Sequence, residues 1–342
     1  MKTQSLWIVE PGRAEVREEE LPTLTPGAVL LEAHVSAISP GTERLMFHGN
    51  AGQQAQLDAT LPSLQDLAGY PMKYGYATVG RIVELGQEVD RSLLDRWALA
   101  LHPHQAHLAC PAEDLVLLPA GIDSEAAAFL PNVETSLSLV HDGRPLAGER
   151  VLVLGLGVVG QLTAMLLGQF PLADLVAVEP LANRRQLAVT RRLTAVASFE
   201  EILDRLSPDQ APGFDMAFEL SGNPQALTAA INAVGYDGRV VIGSWYGDRM
   251  TPVALGTHFH RNHIRLISSQ VSRIPPALRG LWTKARRFGE AIRLLPALRP
   301  AELITHRLPL AEAPDAYALL DHPSEAVGIL ILYPPAASNG HA

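Results

Sequence analysis

Residues 149–160 read Glu-Arg-Val-Leu-Val-Leu-Gly-Leu-Gly-Val-Val-Gly, and this stretch decides the fold. Its first half is a short apolar run suited to a buried strand, and from Val158 the residues are helix-forming. Between the two, Gly155, Gly157 and Gly160 form a G-x-G-x-x-G turn. Alone, that spacing is weak, because glycines are common. At a strand-to-helix junction each glycine has a task. Gly155 permits the tight turn, Gly157 lets the backbone approach a pyrophosphate, and Gly160 lets helix and strand pack closely. The amides of Val158, Val159 and Gly160 open the helix, where free N–H groups and the helix dipole favour a phosphate.

Working outward, strand-like DLVAVE (174–179) ends on Glu179, about 20 residues beyond Gly160. A carboxylate at that spacing accepts hydrogen bonds from an adenosine ribose and repels a 2′-phosphate, which favours NAD over NADP. Arg184 and Arg185 follow closely and keep NADP possible, since a nearby arginine accommodates the phosphate. The alternation continues through helical ANRRQLAVTRRL (182–193), helical FEEILDRL (199–206), strand-like DMAFELSG (215–222), helical PQALTAAINAV (224–234) and strand-like GRVVIGS (238–244). This predicts an α/β domain with a doubly wound parallel sheet. The candidate cofactor-binding residues are Gly155, Gly157, Val158, Val159, Gly160, Glu179, Arg184, Ser221 and Gly243.

The texture before residue 123 is different. SLWIVE (5–10), AVLLEAHVSAIS (28–39), ATVGRIVELG (77–86), RWALAL (96–101) and DLVLLP (114–119) read as short strands of a β-rich domain. Residues 49–69 suggest a loop with one short helix, and SEAAAFLPNVETSLSLVHDG (124–143) a helix ending at Gly143. From about residue 300 short elements return, ending in apolar AVGILILYP (326–334).

The 342 residues suit two domains. An apolar share of 47% against 18% charged argues against disorder. A net charge of −9 with no basic run argues against a nucleic-acid or anionic-membrane partner. No apolar run reaches the roughly 20 residues needed to span a bilayer, and the N-terminus lacks a signal-peptide pattern, so a cytoplasmic protein is expected. The single cysteine, Cys110, excludes an internal disulfide framework and any zinc site built from several cysteines.

AISPGTE (37–43), GYATVGRIVELG (75–86), RPLAGERVLVLGLGVVG (144–160), FDMAFELSGNPQAL (214–227), GRVVIGSW (238–245) and LITHRLPLAEAPDAYALLDHP (303–323) occur in the order found in the medium-chain dehydrogenase/reductase superfamily, which the chain resembles nearly end to end. PGTERL with LHPHQ (101–105) resembles its bacteriochlorophyllide dehydrogenase branch. The resemblance implies a GroES-like β-rich domain over 1–123 and 296–342, a Rossmann domain over 124–295, and an active site in the cleft between them. It also implies a homodimer or homotetramer formed through the Rossmann domains, to which IRLISSQV (264–271) could contribute an edge or in which it could be an internal strand.

Zinc members of this superfamily take a cysteine from the segment matching 37–43 and a histidine from a Gly-His-Glu matching 75–77. Here Pro40, beside Ser39, and Gly75-Tyr76-Ala77 stand at those places, so no catalytic zinc is expected. Two histidine groups, His102, His104 and His107 near Cys110, and His258, His260 and His263, do not match the family's ligand positions. Without a metal, hydrogen-bond donors must stabilise the alkoxide that forms in hydride transfer. The resemblance places Thr42 at the hydroxyl that relays the proton, Tyr76 at a lost ligand, and Glu43 at a supporting carboxylate. His104 and His48 are the candidate general bases.

The expected function is a zinc-independent, NAD(P)-dependent oxidoreductase acting on a small-molecule secondary alcohol or ketone, which could be bulky. One alternative is a zinc-free NADPH-dependent reductase of quinones or activated C=C bonds. A second is a nucleotide-binding protein without turnover.

Overall fold

The structure, a computed structural model, describes residues 2–51, 69–205 and 213–334. The loop-and-helix expectation for 49–69 falls largely on residues 52–68, outside the described residues. Two compact units emerge. One comprises Met1–Pro131, Arg299–His322 and Gly328–Ala342, the other Asn132–Leu298 and Pro323–Val327.

The strands in chain order are β1 (Lys2–Glu10), β2 (Arg13–Glu20), β3 (Ala28–Ile38), β4 (Thr78–Leu85), β5 (Trp97–Ala100), β6 (His107–Pro111), β7 (Leu115–Leu117), β8 (Arg150–Leu154), β9 (Asp174–Val178), β10 (Thr194–Val196), β11 (Phe214–Glu219), β12 (Val234–Ile242), β13 (Arg265–Ser268), β14 (Ile304–Pro309) and β15 (Gly328–Leu332). The first unit carries a sheet in the order β14-β15-β3-β4-β5-β7, with β6 also pairing with β3, and a separate β1–β2 hairpin. Only β14 and β15 run parallel in that sheet; the other pairs are antiparallel. Strand β3 is central because its eleven residues are almost all apolar and buried on both faces.

Strand β2 has no sequence signature, since RAEVREEE is mostly polar and none of its residues is fully buried. It forms because β1 supplies a hydrogen-bonding edge across the Pro11-Gly12 turn. Helix α1 (Pro40–Phe47) follows β3 directly, with Pro40 at its start, where a missing N–H costs nothing.

The helix expected over 124–143 is two helices, α2 (Ser124–Ala127) and α3 (Leu130–Gly143). Pro131 explains the break, because proline is tolerated in the first turn of a helix and not in its interior.

The second unit is a six-stranded parallel sheet in the order β10-β9-β8-β11-β12-β13. This is the doubly wound order 3-2-1-4-5-6, with its reversal beside β8. Helices α4 (Val158–Leu167), α5 (Ala182–Thr190), α6 (Glu200–Arg205) and α7 (Pro224–Ala233) connect the strands. Leu152, Leu154, Val176, Ala217, Ile231 and Val240 belong to the unit's core. Strand β13 is the sheet's edge, not an internal strand. Helix α8 (Lys284–Leu298) was not anticipated; its buried residues include Phe288, Ala291, Leu295 and Leu298. Within that stripe the guanidinium of Arg287 is wholly buried and donates to Glu134 at 2.9 Å and to Ser138 at 3.2 Å.

Helix α9 (Ala313–Ala318) completes the set and returns to the first unit. Among the described residues no helix is long and apolar enough to cross a membrane.

Cys110 lies on β6 against the core formed by Val29, Leu31, Ile82 and Leu108. Burial first, and Asp114 second, push its thiol up to about 12. At pH 8 only about 1 in 10⁴ of such thiols is ionised. Cys110 should therefore react with a thiol reagent orders of magnitude more slowly in the native protein than in denaturant, as a timed colorimetric thiol assay would record.

Candidate active site and dinucleotide site

The dinucleotide site follows from the turn between β8 and α4. Gly155 has φ of +93°, and a Cβ there would lie 2.6 Å from Ser221 Cα. A Cβ on Gly160 would lie 2.0 Å from the Gly155 carbonyl oxygen, so helix α4 meets its own turn at a distance only glycine allows. Gly157 differs. A Cβ there would meet nothing nearer than Arg184 Nη1 at 3.8 Å, so the turn opens at that point into a space suited to a phosphate. Gly157 is the N-cap of α4 and Gln161 makes the first helical bond to it at 2.9 Å. That leaves the amides of Val158, Val159 and Gly160 at the helix's open end.

Glu179 is buried and sits beside this turn, and its oxygens are engaged by the chain itself. Leu156 N–H donates to Oε2 at 2.7 Å, and Leu181 N–H donates to Oε1 at 3.0 Å. Arg184 Nη1 stands 3.7 Å from Oε2, while Arg184 Nε is buried without a hydrogen-bond partner among the described residues. Arg185 donates through Nη1 to the carbonyls of Glu179 and Pro180 at 2.7 and 2.6 Å. An orphaned arginine nitrogen and an open glycine cradle fit a bound dinucleotide phosphate.

Ser221 and Gly243 lie just past the carboxyl ends of β11 and β12, the side of such sheets that binds ligands. Both are occupied in local structure. Ser221 donates its amide (2.9 Å) and its hydroxyl to the buried carboxylate of Glu219, and Gly243 N–H donates to the Glu219 carbonyl at 3.0 Å. Tyr246 also donates to Glu219, and burial, then the carboxylate, push its hydroxyl up so that it stays a donor. Nothing in the sequence singled out Glu219 or Tyr246, apart from one acidic residue closing an apolar strand.

In the first unit Thr42, Glu43, His104 and Tyr76 come from three segments. Thr42 is half-buried on α1. Tyr76 is half-buried on the approach to β4, its ring edge-on to Tyr74 at 6.1 Å between centroids. Glu43 and His104 are wholly buried and bonded to each other, His104 Nε2 to Glu43 Oε2 at 3.0 Å. The other ring nitrogen meets Ser36 Oγ at 2.7 Å, and Ser36 in turn meets the Tyr333 hydroxyl at 2.9 Å. Tyr317 donates to Glu43 Oε2 at 2.6 Å, and Ser39 N–H donates to Oε1 at 2.7 Å. Burial first, then Glu43, hold the Tyr317 hydroxyl well above the usual range, which keeps its proton in place.

With both ring nitrogens engaged and no surface, His104 is not placed to exchange a proton directly with a substrate. His48 is not beside it: its Nε2 contacts Asp321 at 2.9 Å, and Arg44 reaches the same carboxylate at 3.2 Å. Ser36, Tyr317 and Tyr333 carry no sequence signal, and two of them lie nearly 300 positions from their partners.

At the two positions that the resemblance gives to zinc ligands, Pro40 begins α1, and Tyr76 is half-buried and followed by buried Ala77. Neither Pro40 nor Ala77 has a donor atom for zinc in its side chain. Among the described residues no group of three or more His, Cys, Asp or Glu is arranged to hold a metal ion. Of the first histidine group, His102 is pushed down to about 4 by desolvation and its Nδ1 contacts the Pro103 carbonyl at 3.1 Å. Of the second, His258 contacts the Val234 carbonyl at 3.0 Å and His263 contacts Asp237 at 3.2 Å.

No protein-family model matches the chain. It is 29% identical over 223 residues to the "uncharacterized zinc-type alcohol dehydrogenase-like protein YphC" of Escherichia coli K12, a match covering 64% of this chain and 60% of that protein. It is 23% identical over 338 residues to 2-desacetyl-2-hydroxyethyl bacteriochlorophyllide A dehydrogenase of Cereibacter sphaeroides, covering 93% and 94% of the two chains. Among solved structures, a short chain alcohol dehydrogenase from E. coli CFT073 complexed with NADH superposes with a TM-score of 0.78 at 16% identity, covering 97% of this chain and 99% of that one. The GroES-like and Rossmann folds are thereby shared.

Gly160→Ala would press a methyl group into the Gly155 carbonyl. Titration calorimetry with NADH should show affinity falling at least about tenfold, with the thermal midpoint lowered as well.

Proposed function

We propose that this chain, which belongs to the medium-chain dehydrogenase/reductase superfamily, is an NAD(P)-dependent oxidoreductase that interconverts a secondary alcohol and its ketone without a catalytic zinc. The observation that carries the zinc-independent part is the pair of side chains at 40 and 76: a proline and a phenol where the resemblance puts a cysteine and a histidine ligand. When bound, the dinucleotide supplies or accepts the hydride.

The rest falls to the chain. The amides of Val158, Val159 and Gly160 hold the pyrophosphate, and Gly157 gives it room. Thr42 and Tyr76 offer hydroxyls to the substrate oxygen, where charge develops as the hydride moves. A phenol, whose reference pKa is about 10, is a hydrogen-bond donor and a poor base at neutral pH. A small-molecule substrate and self-association through Rossmann units belong to the same reading.

A second reading, a zinc-free NADPH-dependent reductase of quinones or activated C=C bonds, is favoured by one observation. Glu179 is already satisfied by Leu156 and Leu181, which weakens its opposition to a 2′-phosphate, and Arg184 stands next to it.

Oxidation of NADH and NADPH against ketone, enone and quinone panels separates the readings. The first expects NADH-linked turnover of ketones, the second NADPH-linked turnover of enones or quinones. Turnover of none, with tight dinucleotide binding, would overturn both in favour of a binding protein. Exhaustive chelation should leave the rate unchanged, with well under one zinc per chain by elemental analysis. Tyr76→Phe should lower kcat about 100-fold or more with little change in NADH affinity, as loss of an oxyanion donor does.

A further inference from the structure

Thr42 and Tyr76 stand on segments far apart in sequence, and no ligand-bearing side chain at 40 or 76 joins them. What joins them is buried. Glu43, the neighbour of Thr42 on α1, has its carboxylate wholly out of water and bonded to His104 Nε2 at 3.0 Å. The same carboxylate accepts Ser39 N–H at 2.7 Å and so pins the turn that begins α1.

His104 in turn is seated against the residues that precede Tyr76. A Cβ on Gly75, where φ is +120°, would lie 2.7 Å from both Cδ2 and Nε2 of the ring, so only glycine leaves the ring its place. The backbone N–H of His104 points to the Tyr74 carbonyl at 3.4 Å, and its carbonyl accepts Leu6 N–H at 3.0 Å. Ser36 on β3 holds the far ring nitrogen, and Tyr317 on α9 holds the carboxylate from another side.

Resting on the dehydrogenase reading above, we infer that the Glu43–His104 pair is the positioning element of this active site, tying α1 with Thr42 by buried hydrogen bonds to a ring that packs against the Gly75 turn with Tyr76. His104 is thus a positioning residue and not the base its proximity suggested. A buried network with every member satisfied has one geometry, which a half-satisfied one loses. Moving a reacting group by about 1 Å can cost about a hundredfold in rate, so the pair governs hydride transfer without touching substrate. The competing explanation is that the pair only stabilises the first unit.

The test uses the full chain with Glu43→Gln and His104→Gln. The control is Leu108→Ala, which opens a buried site in the same unit away from the pair. Hydrogen exchange is followed in peptides covering 40–48 and 74–78, and at matched loss of thermal midpoint. Both variants should speed exchange about tenfold or more in both segments, and the control in neither. Single-turnover hydride transfer from NADH to the best acceptor of the panels should fall about 10- to 100-fold, with NADH affinity within twofold of the parent.

Acceleration in only one segment, or equally in the control, overturns the inference, as does hydride transfer within threefold of the parent. If the parent transfers hydride to no acceptor, the functional reading fails while the exchange comparison still decides the pairing. If neither variant folds, Ser36→Ala, which removes the Ser36 bonds to His104 and Tyr333, and Tyr317→Phe, which removes one bond to Glu43, leave the pair itself and carry the same comparison.

Discussion

A carboxylate taken out of water costs several kcal/mol unless hydrogen-bond donors surround it. Glu43, Glu179 and Glu219 all meet that demand at turns, and each recruits a backbone amide: Ser39 for the first, Leu156 and Leu181 for the second, Ser221 for the third. Charge-assisted bonds of this kind are short and strong, so each carboxylate fixes the loop that supplies its donors. The three loops are the start of α1, the glycine turn before α4, and the turn after β11. Thr42, Gly155, Gly157 and Ser221 among the candidate residues stand at or beside these loops.

The same demand changes what the acidic residues mean. Spacing alone assigns Glu179 to a ribose, yet its oxygens already hold Leu156 and Leu181, so its first effect is on the shape of the phosphate turn. Glu43 and His104 satisfy each other, and Tyr317 and Tyr246 are kept as hydroxyl donors by burial and by the carboxylates they face. Thr42 and Tyr76 are half-buried, whereas Glu43, His104 and Tyr317 are enclosed.

Legibility varied with the range of the cause. The alternation from β8 to β12 was readable because strand and helix periods are local. Pro131 signalled a break that the helical stripe over 124–143 obscured. Strand β2 was silent, because a polar strand exists only by virtue of the edge it pairs with. In the candidate site, the sequence and the resemblance it carries named Thr42, Glu43, Tyr76 and His104 as candidates. Their grouping was not legible, because Ser36 meets His104, Tyr317 meets Glu43 and Tyr333 meets Ser36 only through packing of strands and helices from both ends of the chain.

By itself the sequence determined the strand-turn-helix of 149–160, since glycine sterics and hydrophobic period act within a dozen residues, and it determined that positions 40 and 76 carry neither a cysteine nor a histidine. Tertiary structure alone decided which donors meet each buried carboxylate, that His104 is enclosed, and that Gly75 makes room for its ring. Those outcomes depend on long-range contacts. A side chain's partners are set by what the folded chain brings within about 3 Å, which no spacing along the sequence encodes.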